Sequence, residues 1–150
     1  LFRLLAPGCL LIVIVNISYY LYSYFVLTPV YYGYFWQFGN REAIEYAKKH
    51  ENEYDKIIMS YEYDQPYIYY LFYNKIDPSW YQKNWDYSGN GEVDRFFRKI
   101  GKYEFAKINY DKDDNPNTLL IAAPREVPEN VRVLKTIYFP DGRIAYKILK

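Results

Sequence analysis

Leu10-Leu-Ile-Val-Ile-Val-Asn-Ile-Ser-Tyr-Tyr-Leu-Tyr-Ser-Tyr-Phe-Val-Leu27 is the core of a stretch, Leu4 to Asn40, that contains no charged side chain. As a helix rising about 1.5 Å per residue, the stretch outruns the ~30 Å hydrocarbon layer of a bilayer. All 18 acidic residues, and every basic residue except Arg3, lie from Arg41 onward. The pattern predicts a transmembrane helix with an interfacial aromatic belt over 1–32, and a soluble domain over 33–150. A signal peptide would have a shorter apolar run and a small-residue cleavage site. The residues that follow are Tyr31-Tyr-Gly-Tyr-Phe-Trp36, without an Ala-x-Ala-like site. A buried core helix seldom stays uncharged for so long. Asn16 and Ser18, mildly polar, are expected to face protein rather than lipid. The chain opens on Leu1 rather than methionine, which predicts a piece of a longer protein.

Tyrosine and tryptophan carry an apolar ring with a polar tip, so they collect where membrane meets water. Tyr19, Tyr20, Tyr22 and Tyr24 approach that boundary, and Tyr31, Tyr32, Tyr34 and Trp36 lie at or just beyond it. Pro29 is expected to end the helix or turn the chain. Charge does not orient the span, because Arg3 on one side is balanced by Arg41 on the other. Cys9 is the only cysteine, so no intrachain disulfide can form. Asn16-Ile-Ser18 matches a glycosylation sequon but lies within the span.

Beyond the span, basic and acidic residues cancel, and no basic stripe of the kind that binds nucleic acid is present. Asn40 is placed to cap a helix from Arg41 to about Glu53, with Ala43, Tyr46, Ala47, His50 and Tyr54 at helical spacing. Lys56-Ile-Ile-Met-Ser-Tyr61 reads as a strand buried within a sheet. Asp64-Gln65-Pro66 opens a helix through Tyr73, and Asp77-Pro78 opens a shorter one with Trp80, Tyr81 and Trp85. Tyr103 to Asn109 alternates as a strand, and Thr118 to Ala123 is an apolar run stopped by Pro124. Val131–Phe139 and Ile144–Leu149 flank the turn Pro140-Asp-Gly-Arg143, which predicts a C-terminal β-hairpin. The expected fold class is α/β: one N-terminal transmembrane helix, then a small α/β layer domain. Its mixed sheet has a parallel centre and an antiparallel edge.

Tyr34-Phe-Trp-Gln-Phe-Gly-Asn-Arg-Glu-Ala-Ile-Glu-Tyr46 follows the span directly. After the apolar strand come Tyr63-Asp-Gln-Pro-Tyr-Ile-Tyr-Tyr-Leu-Phe-Tyr73, Asp77-Pro-Ser-Trp-Tyr-Gln82 and, at the end, Ile137-Tyr-Phe-Pro-Asp-Gly-Arg-Ile-Ala-Tyr-Lys-Ile148. This order resembles the C-terminal tail of bacterial and archaeal membrane glycosyltransferases of the GT-C fold, related to the dolichyl-phosphate-mannose–protein mannosyltransferases. The resemblance covers nearly the whole chain, through aromatic-and-turn patterns rather than catalytic signatures. It implies a non-catalytic, extracytoplasmic end of an enzyme that moves a sugar from a polyprenyl-phosphate donor to an acceptor. The family's catalytic acidic residues lie in a loop near its N-terminus that has no counterpart here, so no catalytic residue is carried over.

A search for chemistry independent of that resemblance also assembles no active site. His50 is the only histidine and falls on a helix face beside Glu51; a structural role suits it better than catalysis, which needs spatial partners. There is no glycine-rich phosphate loop, HExxH or CxxC pair, and no cofactor is implied. The carboxylate pairs Asp113-Asp114 and Glu51/Glu53 read as solvated surface.

Two constellations remain. Asp86-Tyr-Ser-Gly-Asn-Gly-Glu-Val-Asp94 sets oxygen ligands at Asp86, Ser88, Asn90 and Asp94 in the manner of a calcium loop, but Phe97 stands where the bidentate glutamate belongs. A glycine-rich turn is the better reading. The second is Tyr61, Tyr63, Asp64, Gln65 and Tyr67, at the carboxyl end of the apolar strand, where open α/β sheets bind ligands. Tyrosine rings stack on the C–H faces of sugars, and Asp and Gln bond hydroxyls. These tyrosines must also serve the core, which is short of leucine. The expected partners are the lipid bilayer and a lipid-linked sugar or glycan acceptor, with no nucleic acid. The alternative is a single-pass envelope protein with a tyrosine-rich glycan- or protein-binding domain.

Overall fold

A computed structural model describes residues 2–84 and 98–150. Helix α1, Phe2–Tyr22, runs through a π-helical turn, Ser23–Leu27, into the short α2, Thr28–Tyr31. Within it, Ala6–Tyr31 forms one apolar stretch of 26 residues, none of which is buried inside the protein. It is long and apolar enough to cross a membrane or to act as a signal sequence. The helix passes Pro29 instead of ending there. Proline has no N–H to donate, and its ring collides with the carbonyl four residues back. The wide turn just upstream relieves both problems. The Thr28 N–H and hydroxyl both donate to the Ser23 carbonyl, the hydroxyl at 2.9 Å, and Pro29 then stands in the first turn of α2.

A compact turn leads into the domain, with the Tyr32 N–H donating to the Thr28 carbonyl and the Phe38 N–H to the Gly33 carbonyl, both at 2.9 Å. Gly39, at φ 103°, caps helix α3, Asn40–His50. The backbone angle favours glycine, and a Cβ on Gly39 would in addition crowd the Ala145 Cβ at 3.2 Å. Asn40, expected as the cap, is instead the first residue of the helix and is buried; its Oδ1 accepts the Tyr146 hydroxyl. The left-handed Gly39 has taken the capping position and freed Asn40 for the core. A 3₁₀ turn, Glu51–Glu53, completes the expected helical span.

Next come β1 (Lys56–Ser60), α4 (Pro66–Tyr73), α5 (Pro78–Asn84), β2 (Arg98–Ile100), β3 (Tyr103–Ala106), α6 (Tyr110–Asp113) and β4 (Thr118–Ala122). A 3₁₀ turn at Pro124–Glu126 precedes the hairpin of β5 (Val133–Tyr138) and β6 (Ile144–Leu149). The described strands make a six-stranded sheet in the order β2-β3-β1-β4-β6-β5. The centre is parallel, with Ile57 level with both Tyr103 on β3 and Leu119 on β4. Both flanks are antiparallel, through β2 and through the β5–β6 hairpin.

Alternation along the strands sorts the core. Ile57, Met59, Phe105, Leu119, Ile121, Tyr146 and Ile148 pack beneath Ala43, Ile44 and Ala47 of α3 and Tyr70 of α4. Ile58, Leu120, Ala122 and Leu149 face the other side, covered by Ile108 and Val127 from the loops. Every residue of β4 is buried, as a strand flanked on both edges and covered on both faces must be. The hairpin closes as the turn residues predict, with Gly142 at φ 87° and the Phe139 N–H donating to the Arg143 carbonyl at 2.8 Å.

Candidate functional site

The chain leaves β1 towards the β3 side of the sheet and leaves β4 towards the β6 side. Between two strands whose exits diverge, the carboxyl ends open a crevice, the usual ligand position in open α/β sheets. Here that crevice is a cleft of about 270 Å³. Glu62 and Tyr63, beyond β1, face Pro124 and Arg125, beyond β4, while Phe139 and Arg143 from the hairpin and Tyr34 from the turn after the apolar helix complete it. A second hollow of about 300 Å³ shares Tyr34, Glu62 and Tyr63 and adds Phe35, Gln37 and Asp64. The two form a groove running past the Tyr34–Tyr63 pair.

The shape of its floor follows from local turns. Ser60, fully buried at the end of β1, accepts the Glu62 N–H on its Oγ at 3.0 Å and bends the chain outward. Asp64 adopts φ 77° in the bend before α4, and Gln65 precedes Pro66 without a side-chain cap. Next to Pro124 and Arg125 in the chain, Glu126 Oε1 accepts the Ile108 N–H and Oε2 the Ala123 N–H, each at 3.0 Å. One carboxylate thereby ties together the loops that leave β3 and β4.

Aromatic rings make the walls. Tyr63 lies edge-on to Tyr34, Phe139 and Tyr146, with centroids 5.4, 5.4 and 5.3 Å away. The Arg143 guanidinium lies 5.9 Å from the Tyr34 ring centroid and 5.8 Å from that of Phe139. Asp141 holds it with Nη2–Oδ2 at 2.7 Å, and this hydrogen bond keeps the Asp141 carboxyl below its ordinary range. Arg125 is more loosely held, 3.8 Å from Glu62, with most of its side chain exposed. Burial, aided by the charge of Glu62, pushes the Tyr63 phenol up to about 12, so it remains a neutral donor at any physiological pH. The groove thus offers ring edges and faces, a neutral phenol, two guanidinium groups and two carboxylates. That set suits binding of a polyol or an anion.

The five residues singled out beyond β1 do not stay together. Tyr63 and Asp64 line the groove. Tyr67 donates its hydroxyl to Gln65 Oε1 at 2.8 Å, and its ring stacks 6.4 Å from Tyr81 and meets Phe105. Tyr67 belongs to the α4 face over β3, and Gln65 stands just before the helix. Tyr61 is half-buried and does not line the groove. Asp86, Ser88, Asn90 and Asp94, the calcium-loop pattern, lie outside the described residues. Among the described residues no group of three or more His, Cys, Asp or Glu converges as metal ligands would. His50 Nδ1 lies 2.7 Å from Glu53 Oε1, and its ring packs on Tyr46.

Tyr34, Glu62, Arg125, Phe139 and Arg143 were not among the sequence candidates. Arg125 had a usable signal, since it follows the second buried strand just as Glu62 follows the first. No family model matches the chain, and neither a curated protein nor a solved structure matches it.

Proposed function

We propose that this chain is the membrane-tethered, non-catalytic C-terminal part of an integral-membrane glycosyltransferase, one that moves a sugar from a polyprenyl-phosphate donor to an extracytoplasmic acceptor. In this reading the groove holds donor or acceptor, and the chemistry is done elsewhere. The observation that carries it is the position of Tyr34. This side chain walls the groove, yet it follows α2 by only a few residues, at the end of the apolar helix. A sugar presented at a bilayer surface meets the groove first. Aromatic edges suit its C–H faces, Glu62 and Asp64 its hydroxyls, and the exposed guanidinium of Arg125, with the Nη1 that Asp141 leaves to Arg143, a phosphate.

The groove residues support holding rather than transformation. Tyr63 is a phenol too weakly acidic to act as a base near neutrality, and Glu62 is opposed by a cation. The test is titration of the full chain in nanodiscs with a polyprenyl-phosphate sugar, the free sugar and inorganic phosphate. Saturable binding of the lipid-linked sugar, weakened at least about tenfold by Arg143→Ala, is the expected result, tenfold being about 1.4 kcal/mol. Equal binding by the wild type and the variant would remove the groove from the proposal.

The second reading, a membrane-anchored protein whose domain binds a glycan or protein partner, has one observation in its favour. Phe72 on α4 is 73% exposed beside a largely apolar hollow of about 460 Å³ between α4 and α5. Binding of a soluble glycan or protein, with no polyprenyl-phosphate-dependent transfer in native membranes, would move the function to that class.

A further inference from the structure

The turn between helix and domain exposes apolar surface in a directed way. Phe35, Trp36 and Phe38 are 74%, 71% and 53% exposed, whereas Gly33 and Gly39 on either side of them are buried. The turn is not a slack linker. The Trp36 N–H donates to the Tyr32 carbonyl at 3.2 Å, the Gln37 N–H to Tyr34 at 3.0 Å, and Gln37 sits at φ 52°. Gly33 is pressed so close to the hairpin tip that an added Cβ would stand 2.7 Å from the Pro140 Cδ. A braced turn therefore points three aromatic side chains outward beside the end of a membrane-length helix. No charge intervenes, since the first charged residue after the apolar helix is Arg41, whose guanidinium is held by Glu45 at 2.8 Å.

We infer that this turn is a second membrane contact: Phe35, Trp36 and Phe38 insert at the boundary of headgroups and acyl chains and seat the α/β domain on the bilayer. The inference rests on the membrane reading of the apolar helix. Its occupant is the lipid surface, because the patch continues the uncharged helix and consists of residue types that favour that boundary. The N–H groups of Tyr32, Trp36, Gln37 and Phe38 are already bonded within the turn, which lowers the cost of placing it at the polar boundary of the bilayer. The consequence concerns the groove. Phe35 both belongs to the inserting patch and lines the hollow with Glu62, Tyr63 and Asp64. Seating the turn holds the groove mouth at headgroup height, so the groove takes ligands from the membrane surface in preference to the bulk.

The experiment uses the full chain in phosphatidylcholine–phosphatidylglycerol vesicles, with Trp80→Phe and Trp85→Phe so that Trp36 is the sole tryptophan. Vesicle flotation reports the helix, and quenching of Trp36 reports the turn. Expected are flotation, blue-shifted emission, strong quenching by lipids brominated near the headgroup and protection from aqueous acrylamide. Phe35→Ser with Phe38→Ser should keep flotation but shift emission to the red and reverse the quencher preference. Circular dichroism of the variant confirms that the fold is retained. Failure to float would sink the membrane reading itself. Flotation with acrylamide-quenched emission, with quenching by neither agent, or with bromine quenching unchanged in the double variant would overturn the second contact and leave the anchor standing.

Discussion

Tyr20 and Tyr24, stacked 6.1 Å apart on the apolar helix, and Tyr103 and Tyr146, sealed in the domain core, carry the same side chain into opposite surroundings. In the core each hydroxyl is matched: Tyr146 donates to Asn40, and Tyr103 donates to Glu51 Oε2 at 3.0 Å. Burial raises both phenols, that of Tyr146 well above its ordinary value. On the helix the rings stand outside, with 63% of Tyr20 and 54% of Tyr24 exposed. The difference teaches that tyrosine abundance has two causes in one chain. The helix uses the ring as an outward amphipathic surface, and the domain uses it as a large core filler whose polar tip must find an internal partner.

The comparison is broken most directly by truncation. Tyr146→Ala should lower the unfolding free energy by about 3–5 kcal/mol, as loss of a large buried ring does. Tyr20→Ala should leave domain unfolding within about 0.5 kcal/mol. Denaturant titration in detergent reads both, and equal effects would erase the distinction. Tyr146→Phe isolates the hydroxyl. It leaves the buried Asn40 Oδ1 unmatched and should cost about 1–3 kcal/mol, part of which Asn40→Leu should restore in the double variant.

Gly33→Ala tests the seam between the two regions. Its Cβ must displace the Pro140 ring, so destabilisation of the order of 1–3 kcal/mol is expected, together with weakened groove binding. An unchanged unfolding midpoint would mean that the turn yields freely.

The smallest effects are in pH. The hydrogen bond from Lys48, more than that from Tyr103, holds the Glu51 carboxyl below its ordinary 4.5. The stability it lends is present above pH 4.5 and is lost as pH falls through the lowered value, so Glu51→Gln should flatten that acid limb. Tyr63 works in the alkaline direction. Raised from 10.0 to about 12, it keeps its proton in the folded state while the unfolded chain ionises. Stability present below pH 10.0 is lost as pH rises towards about 12, and Tyr63→Phe should remove that slope.

Much of the domain was written locally. Lys56–Tyr61 and Thr118–Ala123 are apolar runs of strand length, α3 shows its stripe of alanines, and Pro140-Asp-Gly-Arg143 declares the hairpin. Which strands become neighbours is decided by long-range packing that no local window contains. Asn40 has the chemistry of a cap, but its role is set by Tyr146, distant in sequence. The groove was legible by half. The rule of carboxyl ends led to Tyr63 and Asp64, while Arg125, Arg143, Phe139 and Tyr34 arrive from segments that only the folded sheet brings together. Tyr67 was drawn away because α4, begun at Pro66, turns it over β3 to meet Phe105, and Gln65, just before the helix, is tied to it by the Tyr67 hydroxyl.

The π turn at Ser23–Leu27 changes the phase of everything that follows it. One additional residue is spent in closing a single revolution, so side chains beyond Leu27 are set back by about 100° from where an unbroken α-helix would carry them. A stripe traced through Cys9, Asn16 and Ser23 at sevenfold spacing therefore has no continuation at Val30 on the same side. Helical wheels that ignore the wide turn place Val30 and Tyr31 about a quarter of a revolution from their true bearing. The face on which the helix delivers its load to the domain is set by that one misfit turn.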